Sequence, residues 1–328
     1  MRFPMNAGAP SPAGAPALFA LAVHGGAGTI DRKRMSKEAL AAHHDGLRRA
    51  LHAGYRVLAA GGGALDAVTE AVVALEDDPL FNAGRGASLT AAGTFEMDAA
   101  IMDGRDRRAG AVAALCGPKN PVRAARAVME SSPHVLLAGA GAAAFCRARG
   151  LAFAEPGYFE TERRRRELQE VLERRRGRPD PTDPAAGHGT VGAVARDRAG
   201  NLAAATSTGG IAGKMPGRIG DTPLIGAGTF ADNATCAVSA TGHGEFFIRW
   251  GVAFEVAARL AHLGHPLEHA AAAVIAELAA VGGAGGLIAV DREGRLALPF
   301  NTPGMYRGYI KSGGRPHTAL WEEPYCPG

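Results

Sequence analysis

Gly187-His188-Gly189-Thr190-Val191-Gly192-Ala193-Val194 lies in the middle of the chain, where a charged, proline-rich stretch gives way to an apolar run that reads as a strand. A threonine at that boundary has a chemical use that an internal threonine lacks. A free α-amine has a pKa near about 8, so at physiological pH a useful fraction is neutral and can take the hydroxyl proton of its own residue. Cleavage between Gly189 and Thr190 would create a nucleophile with its base attached.

Upstream of this octet, residues 155–187 are charged and then run into Pro179-Asp180-Pro181-Thr182-Asp183-Pro184, which resists regular structure and is the best linker in the chain. Arg163 to Arg166 and Arg174 to Arg176 alternate with glutamates at three- and four-residue spacing, the pattern of a solvated helix. Downstream, residues 190–196 and 202–208 read as a hairpin joined by a polar turn. A strand over 236–241 follows, then helices over 245–263 and 266–280, then a second hairpin, 287–291 and 296–300, turning at Arg292-Glu293-Gly294.

Toward the amino end, a Pro/Ala/Gly-rich leader over 1–16 precedes a buried strand, 17–23, that enters the turn His24-Gly25-Gly26-Ala27-Gly28. Helices are expected over 36–60 and 63–76, the second stopped by Asp77-Asp78-Pro79. Strands over 96–102 and 110–116, a helix from Pro121 to about 131 and a further helical stretch to Arg149 complete this half. The order predicts an α+β fold with helices outside two sheets, and no internal repeat.

Composition narrows the function. The 328 residues suffice for one large domain or two modest ones, and 47% hydrophobic content excludes a wholly disordered chain. A net charge of +4 is small for this length and gives no clustered basic footprint for nucleic acid. Cys116, Cys146, Cys236 and Cys326 are far apart without a C-x-x-C, as expected of reduced thiols. The apolar run 17–23 is too short to span a bilayer and lacks the layout of a signal peptide, so a cytoplasmic location and no membrane partner are expected.

Competing motifs are weaker. Residues 135–138 followed by Gly139-Ala140-Gly141-Ala142-Ala143-Ala144 match strand, G-x-G-x-x-A and helix, with Glu155 or Glu160 as a ribose partner. The helix must end by Gly150 and no second nucleotide-binding half follows, so small residues on a packed helix explain it better. Gly25, Gly26 and Gly28 lack the Gly-Lys-Ser/Thr of a phosphate loop, and no serine sits in G-x-S-x-G. His43/His44 and His265/His269 come without an H-E-x-x-H or a nearby cysteine, and the second pair reads as surface histidines. Thr190, Thr206, Thr208 and Thr241 remain, all at strand ends or beside glycines, where hydroxyls and amides can converge on a small ligand.

At this point several blocks resemble one family. His24-Gly25-Gly26-Ala27-Gly28, the run from Leu75 to Gly86 (Leu-Glu-Asp-Asp-Pro-Leu-Phe-Asn-Ala-Gly-Arg-Gly) and Met97-Asp98 through Met102-Asp103-Gly104 resemble the α-subunit of plant-type asparaginases. Gly189-Thr190-Val191-Gly192, Thr206-Ser207-Thr208-Gly209-Gly210, Pro216-Gly217-Arg218-Ile219-Gly220-Asp221 and Thr241-Gly242-His243-Gly244-Glu245 resemble its β-subunit. The blocks stand in family order from about residue 18 to about residue 313.

The resemblance to the isoaspartyl peptidase/L-asparaginase family implies an N-terminal nucleophile hydrolase fold, a four-layer αββα sandwich. It implies self-cleavage between Gly189 and Thr190, giving an α-subunit of residues 1–189 (with 155–189 as a mobile linker) and a β-subunit of 190–328 within one folded domain, paired as an (αβ)₂ assembly. Thr190 would be the nucleophile, with Thr241 hydroxyl and Gly242 N–H as oxyanion donors. Arg218 would hold the substrate α-carboxylate, while Asp221 and the Gly244 carbonyl hold its α-ammonium. Thr208 would hydrogen-bond the freed amine or hydroxyl of Thr190, and Asn82 would orient the nucleophile or its water. No catalytic cofactor is implied. The carbonyls of Leu75, Glu76, Asp78, Phe81, Ala83 and Arg85 would surround a structural sodium ion, oxygen-only ligation suiting a hard cation.

Two alternatives stay open. Glycosylasparaginases carry an aspartate before the nucleophile where this chain has Gly189, so the substrate expected here is asparagine or a β-aspartyl dipeptide rather than a glycosylated asparagine. An uncut chain that only binds small amino acids is the reading from another functional class.

Overall fold

The computed structural model describes residues 19–33, 35–177, 189–322 and 326–327. The leader over 1–16 and the proline-rich run over 179–184 lie outside the described residues. In chain order the first half holds β1 (Ala20–Gly28), α1 (Lys37–Ala59), α2 (Ala64–Glu76), β2 (Met97–Asp103), β3 (Ala109–Leu115), α3 (Pro121–Ser131), β4 (Leu136–Ala138), α4 (Gly139–Ala148), α5 (Pro156–Phe159) and α6 (Glu162–Gly177). The second holds β5 (Val191–Arg196), β6 (Leu202–Thr208), β7 (Thr229–Ala231), β8 (Cys236–Gly242), α7 (Gly244–Trp250), α8 (Val252–Leu263), α9 (Leu267–Ala280), β9 (Gly285–Asp291), β10 (Leu296–Ala297), β11 (Gly304–Lys311), β12 (His317–Ala319) and β13 (Cys326–Pro327).

Local chemistry sets the element ends. Ser36 caps α1, its hydroxyl accepting from the Ala39 amide at 3.1 Å, with Glu38 in the first turn. α3 opens on Pro121, where no N–H is needed. The helix expected over 245–263 is instead two: Gly251 takes a left-handed φ of 57°, closing α7 and opening α8. The strand expected over 296–300 shrinks to the two residues of β10.

Two further departures concern the middle of the chain. Over residues 156–177 the linker reading gives way to α5 and α6, and α6 is anchored rather than merely solvated: Arg164 is 5% exposed and its Nε donates to the Gly86 carbonyl at 2.6 Å. Phe159 and Val171 are buried beside it, and Arg175 donates to the Gly213 carbonyl. Residues 136–148 form a strand and a helix, as the nucleotide motif requires, but β4 is a short edge strand parallel to β3. Ala142, Ala143 and Cys146 of α4 bury into the core, so the small residues serve packing.

Among the described residues the strands form two sheets, one in the order β13-β12-β11-β1-β5-β6-β2-β3-β4, the other β10-β9-β8-β7. Alternation sorts the side chains of the large sheet. Leu21, Val23, Val191, Ala193, Ala203, Ala205, Ala99 and Ile101 join one cluster with α1, α2, α3 and α4. Ala20, Ala22, Val194, Leu202, Ala204 and Met102 point the other way, into a second cluster with β8, β9, α8 and α9. Each fully buried leucine, isoleucine or valine stabilises these clusters by roughly 1.5–3 kcal/mol.

Polar side chains interrupt the second cluster where β1, β5 and β6 face the small sheet. Here His24 reaches across to Ser239 on β8, Nε2 lying 2.9 Å from the hydroxyl oxygen. Gly192 makes the crossing possible: a Cβ at this position would lie 2.0 Å from Ser239 Oγ and 2.4 Å from His24 Nε2. Those two atoms hold each other, so neither side chain yields freely. Gly192→Ala is expected to lower stability by about 1–3 kcal/mol, read as an earlier urea midpoint. An unchanged midpoint would show that the sheets part here without cost.

Candidate active site

Register brings the first pair of residues together. β5 and β6 are antiparallel with Val191 opposite Ser207 and Gly192 opposite Thr206, so the next pair outward is Thr190 and Thr208. Thr190 is 6% exposed, and its hydroxyl donates to Thr208 Oγ1 at 3.2 Å. Thr208 donates its own proton to the carbonyl oxygen of Gly189 at 2.9 Å and accepts from the Gly210 amide at 2.9 Å.

The same Gly189 oxygen takes a second hydrogen bond, from Asn82 Nδ2 at 2.8 Å. Asn82 is buried in the loop after α2, and its amide is fixed at both ends: Nδ2 also donates to the Gly210 carbonyl at 2.6 Å, and Oδ1 accepts from the Ser88 amide at 2.7 Å. In this uncut chain, Thr208 and Asn82 therefore both address the carbonyl that precedes Thr190. Donors aimed at an oxygen where charge develops are worth roughly 3 kcal/mol each in a transition state. The turn expected at His24 to Gly28 is instead the end of β1, with a register shift between His24 and Gly26, and it lies against this bond: a Cβ on Gly26 would stand 2.9 Å from Gly189 Cα.

Gly242 lines the same space from the end of β8, and Thr241 beside it is fully buried, its hydroxyl accepting from the Ala27 amide at 3.3 Å. The enclosed volume among Gly189, Thr190, Thr208, Arg218, Asp221 and Gly242 is about 10 Å³. That is room for about one water, with Gly189 forming one wall of the space.

Charge gathers at the far wall. Asp221 is 4% exposed, its Oδ2 has no hydrogen-bond partner, and burial pushes its carboxyl up to about 7 against the opposing charge of Arg218. Such a carboxylate in a cleft calls for a cation. Gly244 adjoins both residues: a Cβ there would lie 2.9 Å from Asp221 Oδ1 and 3.1 Å from Arg218 Nη2. Arg218 itself is engaged, Nε and Nη2 each donating at 2.9 Å to the carboxylate of Glu245. Burial tends to raise the Glu245 carboxyl, but the hydrogen bonds and charge of Arg218 hold it below the usual range. His243 Nε2 lies 3.5 Å from the same carboxylate, and its ring packs edge-on against Phe246.

Three groups at this site were not singled out as site residues by the sequence reading. Glu245 directly follows Thr241-Gly242-His243-Gly244, yet nothing local marks it as the partner of Arg218. Lys214 is fully buried, donates to the Glu96 carbonyl at 2.6 Å, lies 4.0 Å from the buried Asp98 and packs its stem under Gly210. His24, visible only as the head of a glycine turn, bonds through Nδ1 to the Thr190 carbonyl at 2.9 Å.

In the Leu75 to Arg85 loop, the Leu75 carbonyl accepts from the Asp78 amide at 3.3 Å, Glu76 from Arg85 at 2.6 Å and Asp78 from Phe81 at 3.2 Å. Leu75 also accepts from the Asp77 amide, and carbonyl oxygen is the donor type that suits a hard cation. Phe81 and Ala83 are buried, the Arg85 guanidinium lies over the Tyr158 ring, and the Asp78 carboxylate pairs with Arg49 at 2.6 Å. Among the described residues no cluster of three His, Cys, Asp or Glu side chains could hold a metal.

The asparaginase family model matches residues 17–320. An isoaspartyl peptidase of Salmonella typhimurium is 50% identical over 308 residues, covering 92% of this chain and 98% of that protein. One of Escherichia coli is 49% identical over 310 residues, covering 92% and 96%. A human isoaspartyl peptidase/L-asparaginase is 45% identical over 295 residues, covering 89% and 92%. With a family match over nearly its whole length and relatives at this identity, the chain belongs to the asparaginase family.

Proposed function

We propose that this chain is a self-processing threonine amidohydrolase that releases L-aspartate from β-aspartyl peptides and L-asparagine. The observation that carries the reading is the Gly189 carbonyl, held by two donors beside the Thr190 hydroxyl. Attack of Thr190 Oγ1 on that carbon can pass the Thr190 proton to Thr208 while Thr208 gives its own proton to the Gly189 oxygen. On collapse the adduct's hydroxyl gives up its proton, the C–N bond breaks, the Thr190 nitrogen leaves protonated, and water hydrolyses the resulting ester. The products are a Gly189 carboxylate and a Thr190 with a free amine.

Departure of Gly189 removes one wall of the space, and the substrate side chain takes its place. The freed amine removes the Thr190 hydroxyl proton and later delivers it to the leaving amine. Thr241 hydroxyl and Gly242 N–H receive the developing oxyanion, and water then cleaves the aspartyl ester. Asp221 and the Gly244 carbonyl take the α-ammonium. With Nε and Nη2 already on Glu245, Arg218 offers its Nη1 side to the α-carboxylate. A Cβ on residue 189 would lie 2.8 Å from Asn82 Cβ, so the aspartate of the glycosylasparaginase pattern does not fit this loop as it stands.

The reading extends to architecture and setting. We infer a helix–sheet–sheet–helix order, the αββα sandwich, from the two core clusters on opposite faces of the large sheet. The two pieces, 1–189 and 190–328, stay in one domain and pair with a second copy. A sodium ion in the Leu75 to Arg85 loop would steady the segment that carries Asn82 and take no part in the reaction. A cytoplasmic setting accords with unpaired Cys116, Cys146 and Cys236, and no helix among the described residues is long and apolar enough to cross a membrane.

The decisive test is a denaturing gel with N-terminal sequencing: two fragments are expected, the second beginning at Thr190, and Thr190→Ala should give one intact, inactive band. Fragments from that variant, or full activity from an uncut parent, would overturn the mechanism. Hydrolysis of β-aspartyl-leucine but not of N-acetylglucosaminyl-asparagine is expected, and the reverse would move the chain to the other substrate class.

Arg218→Lys should mainly raise KM, by roughly 10-fold or more, because a single ammonium cannot both hold Glu245 and present a fixed donor edge to the α-carboxylate. An unchanged KM would make Arg218 structural. Asp221 holds an ammonium only when ionised, and its carboxyl titrates at about 7 in the folded chain. KM for asparagine should therefore fall as pH rises from about 6 to about 8, and Asp221→Asn should remove the step. A flat KM in the parent would dismiss Asp221 from the ammonium site.

A further inference from the structure

His24 is fully buried between the sheets, with Nδ1 2.9 Å from the Thr190 carbonyl oxygen and Nε2 2.9 Å from Ser239 Oγ. A carbonyl has no proton to give, so Nδ1 carries the hydrogen and donates. Burial drives the ring pKa down to about 3, so the imidazole is neutral and Nε2 presents a lone pair. Ser239 must then spend its only hydroxyl proton on Nε2, and its oxygen, 2.7 Å from Thr206 Oγ1, accepts from Thr206. Thr206 in turn accepts from Thr229 Oγ1 at 2.7 Å. The contacts of Thr206 and Thr229 with the carbonyls of Gly228 and Thr222 are longer, 3.3 and 3.2 Å. The donors therefore run one way, Thr229 to Thr206 to Ser239 to His24 to the Thr190 carbonyl, each bond polarising the next.

We infer that His24, oriented by this chain of hydroxyls, is a positioning residue that holds the Thr190 backbone in place once the Gly189–Thr190 bond is cut. The inference rests on the self-cleavage reading. Before the cut, Thr190 is fixed by peptide bonds on both sides. Afterwards it is a chain terminus, and a terminus frays unless something ties it down. Its hydroxyl keeps a single contact with Thr208, which constrains the side chain but leaves the backbone free to turn. The His24 bond holds the Thr190 carbonyl and so the Thr190–Val191 peptide plane, leaving rotation about the Cα–C bond, which the Thr208 contact limits, to set the amine and hydroxyl. A displacement of a reacting group by about 1 Å can cost on the order of 10²-fold in rate.

The experiment measures turnover of asparagine per processed molecule, counted by Thr190 N-termini, in the full-length chain and its variants. His24→Leu should still give two fragments, with kcat down roughly 10- to 100-fold and KM within about threefold of the parent. His24→Asn, whose Nδ2 stands where the imidazole Nδ1 stood, should recover most of the loss. His24→Gln, whose donor stands at the other end of the ring, should not. Ser239→Ala touches neither Thr190 nor substrate and should lower kcat in the same direction. A His24→Leu enzyme with kcat within about twofold of the parent, equal behaviour of Asn and Gln, or no cutting at all would overturn the inference. If His24→Leu fails to fold, Ser239→Ala decides: a parental kcat overturns the role, and a lowered kcat at unchanged KM upholds it. A parent that never cuts fails the self-cleavage reading itself, whereas a cutting parent with indifferent His24 variants fails only this role.

Discussion

Everything at this site depends on the register of β5 against β6. With Val191 opposite Ser207, Thr190 and Thr208 become the last pair of the ladder, on the face that looks toward the small sheet. A slip of one residue would turn Thr190 to the face packed against α1 and α2, away from Thr241, Gly242 and Asp221. The slip is prevented by the alternation that builds the core: Val191, Ala193 and Ala195 face the helices while Gly192 leaves room for His24 on the other side. Packing of small residues thus fixes the position of the reacting oxygen.

The site also requires that the two sheets meet in one place with polar groups. Thr190, Thr208 and His24 come from the large sheet, Ser239, Thr241 and Gly242 from the small one, and Asp221 and Arg218 from the loop between β6 and β7. A cluster of hydroxyls and an imidazole in an apolar interior is costly unless each member is bonded. The hydrogen bonds from Thr229 through Ser239 to the Thr190 carbonyl meet that condition while joining the layers.

Sequence reading was strongest where the cause is local. The Pro121 start of α3, the capped start of α1 and the strands on either side of Asp197 to Asn201 are dictated by neighbouring residues, and they came out within a residue or two. It was weakest where a partner is distant. Arg164 reads as one more solvated arginine until the Gly86 carbonyl, far away in the chain, is seen to accept from it. Strand β11 carries little local signal: it pairs with β1 across almost the full chain length, and its adjacent partner β12 is only three residues long. At the site, the family blocks supplied Thr190, Thr208, Asn82, Arg218 and Asp221, but neither the engagement of Arg218 by Glu245 nor the convergence of Asn82 and Thr208 on Gly189 could be read from spacing.

The strand order of the large sheet bears on what a break before Thr190 would mean mechanically. β1 lies between β11 and β5, and β2 lies beside β6, so strands from before and after residue 190 are interleaved in the sheet. Three ladders of backbone hydrogen bonds, β11–β1, β1–β5 and β6–β2, cross between the two segments, and none of them includes the Gly189–Thr190 bond. Severing that bond removes a covalent link without unzipping a single strand. On the self-cleavage reading the two pieces would stay interlaced through these ladders, and their separation would require breaking all three.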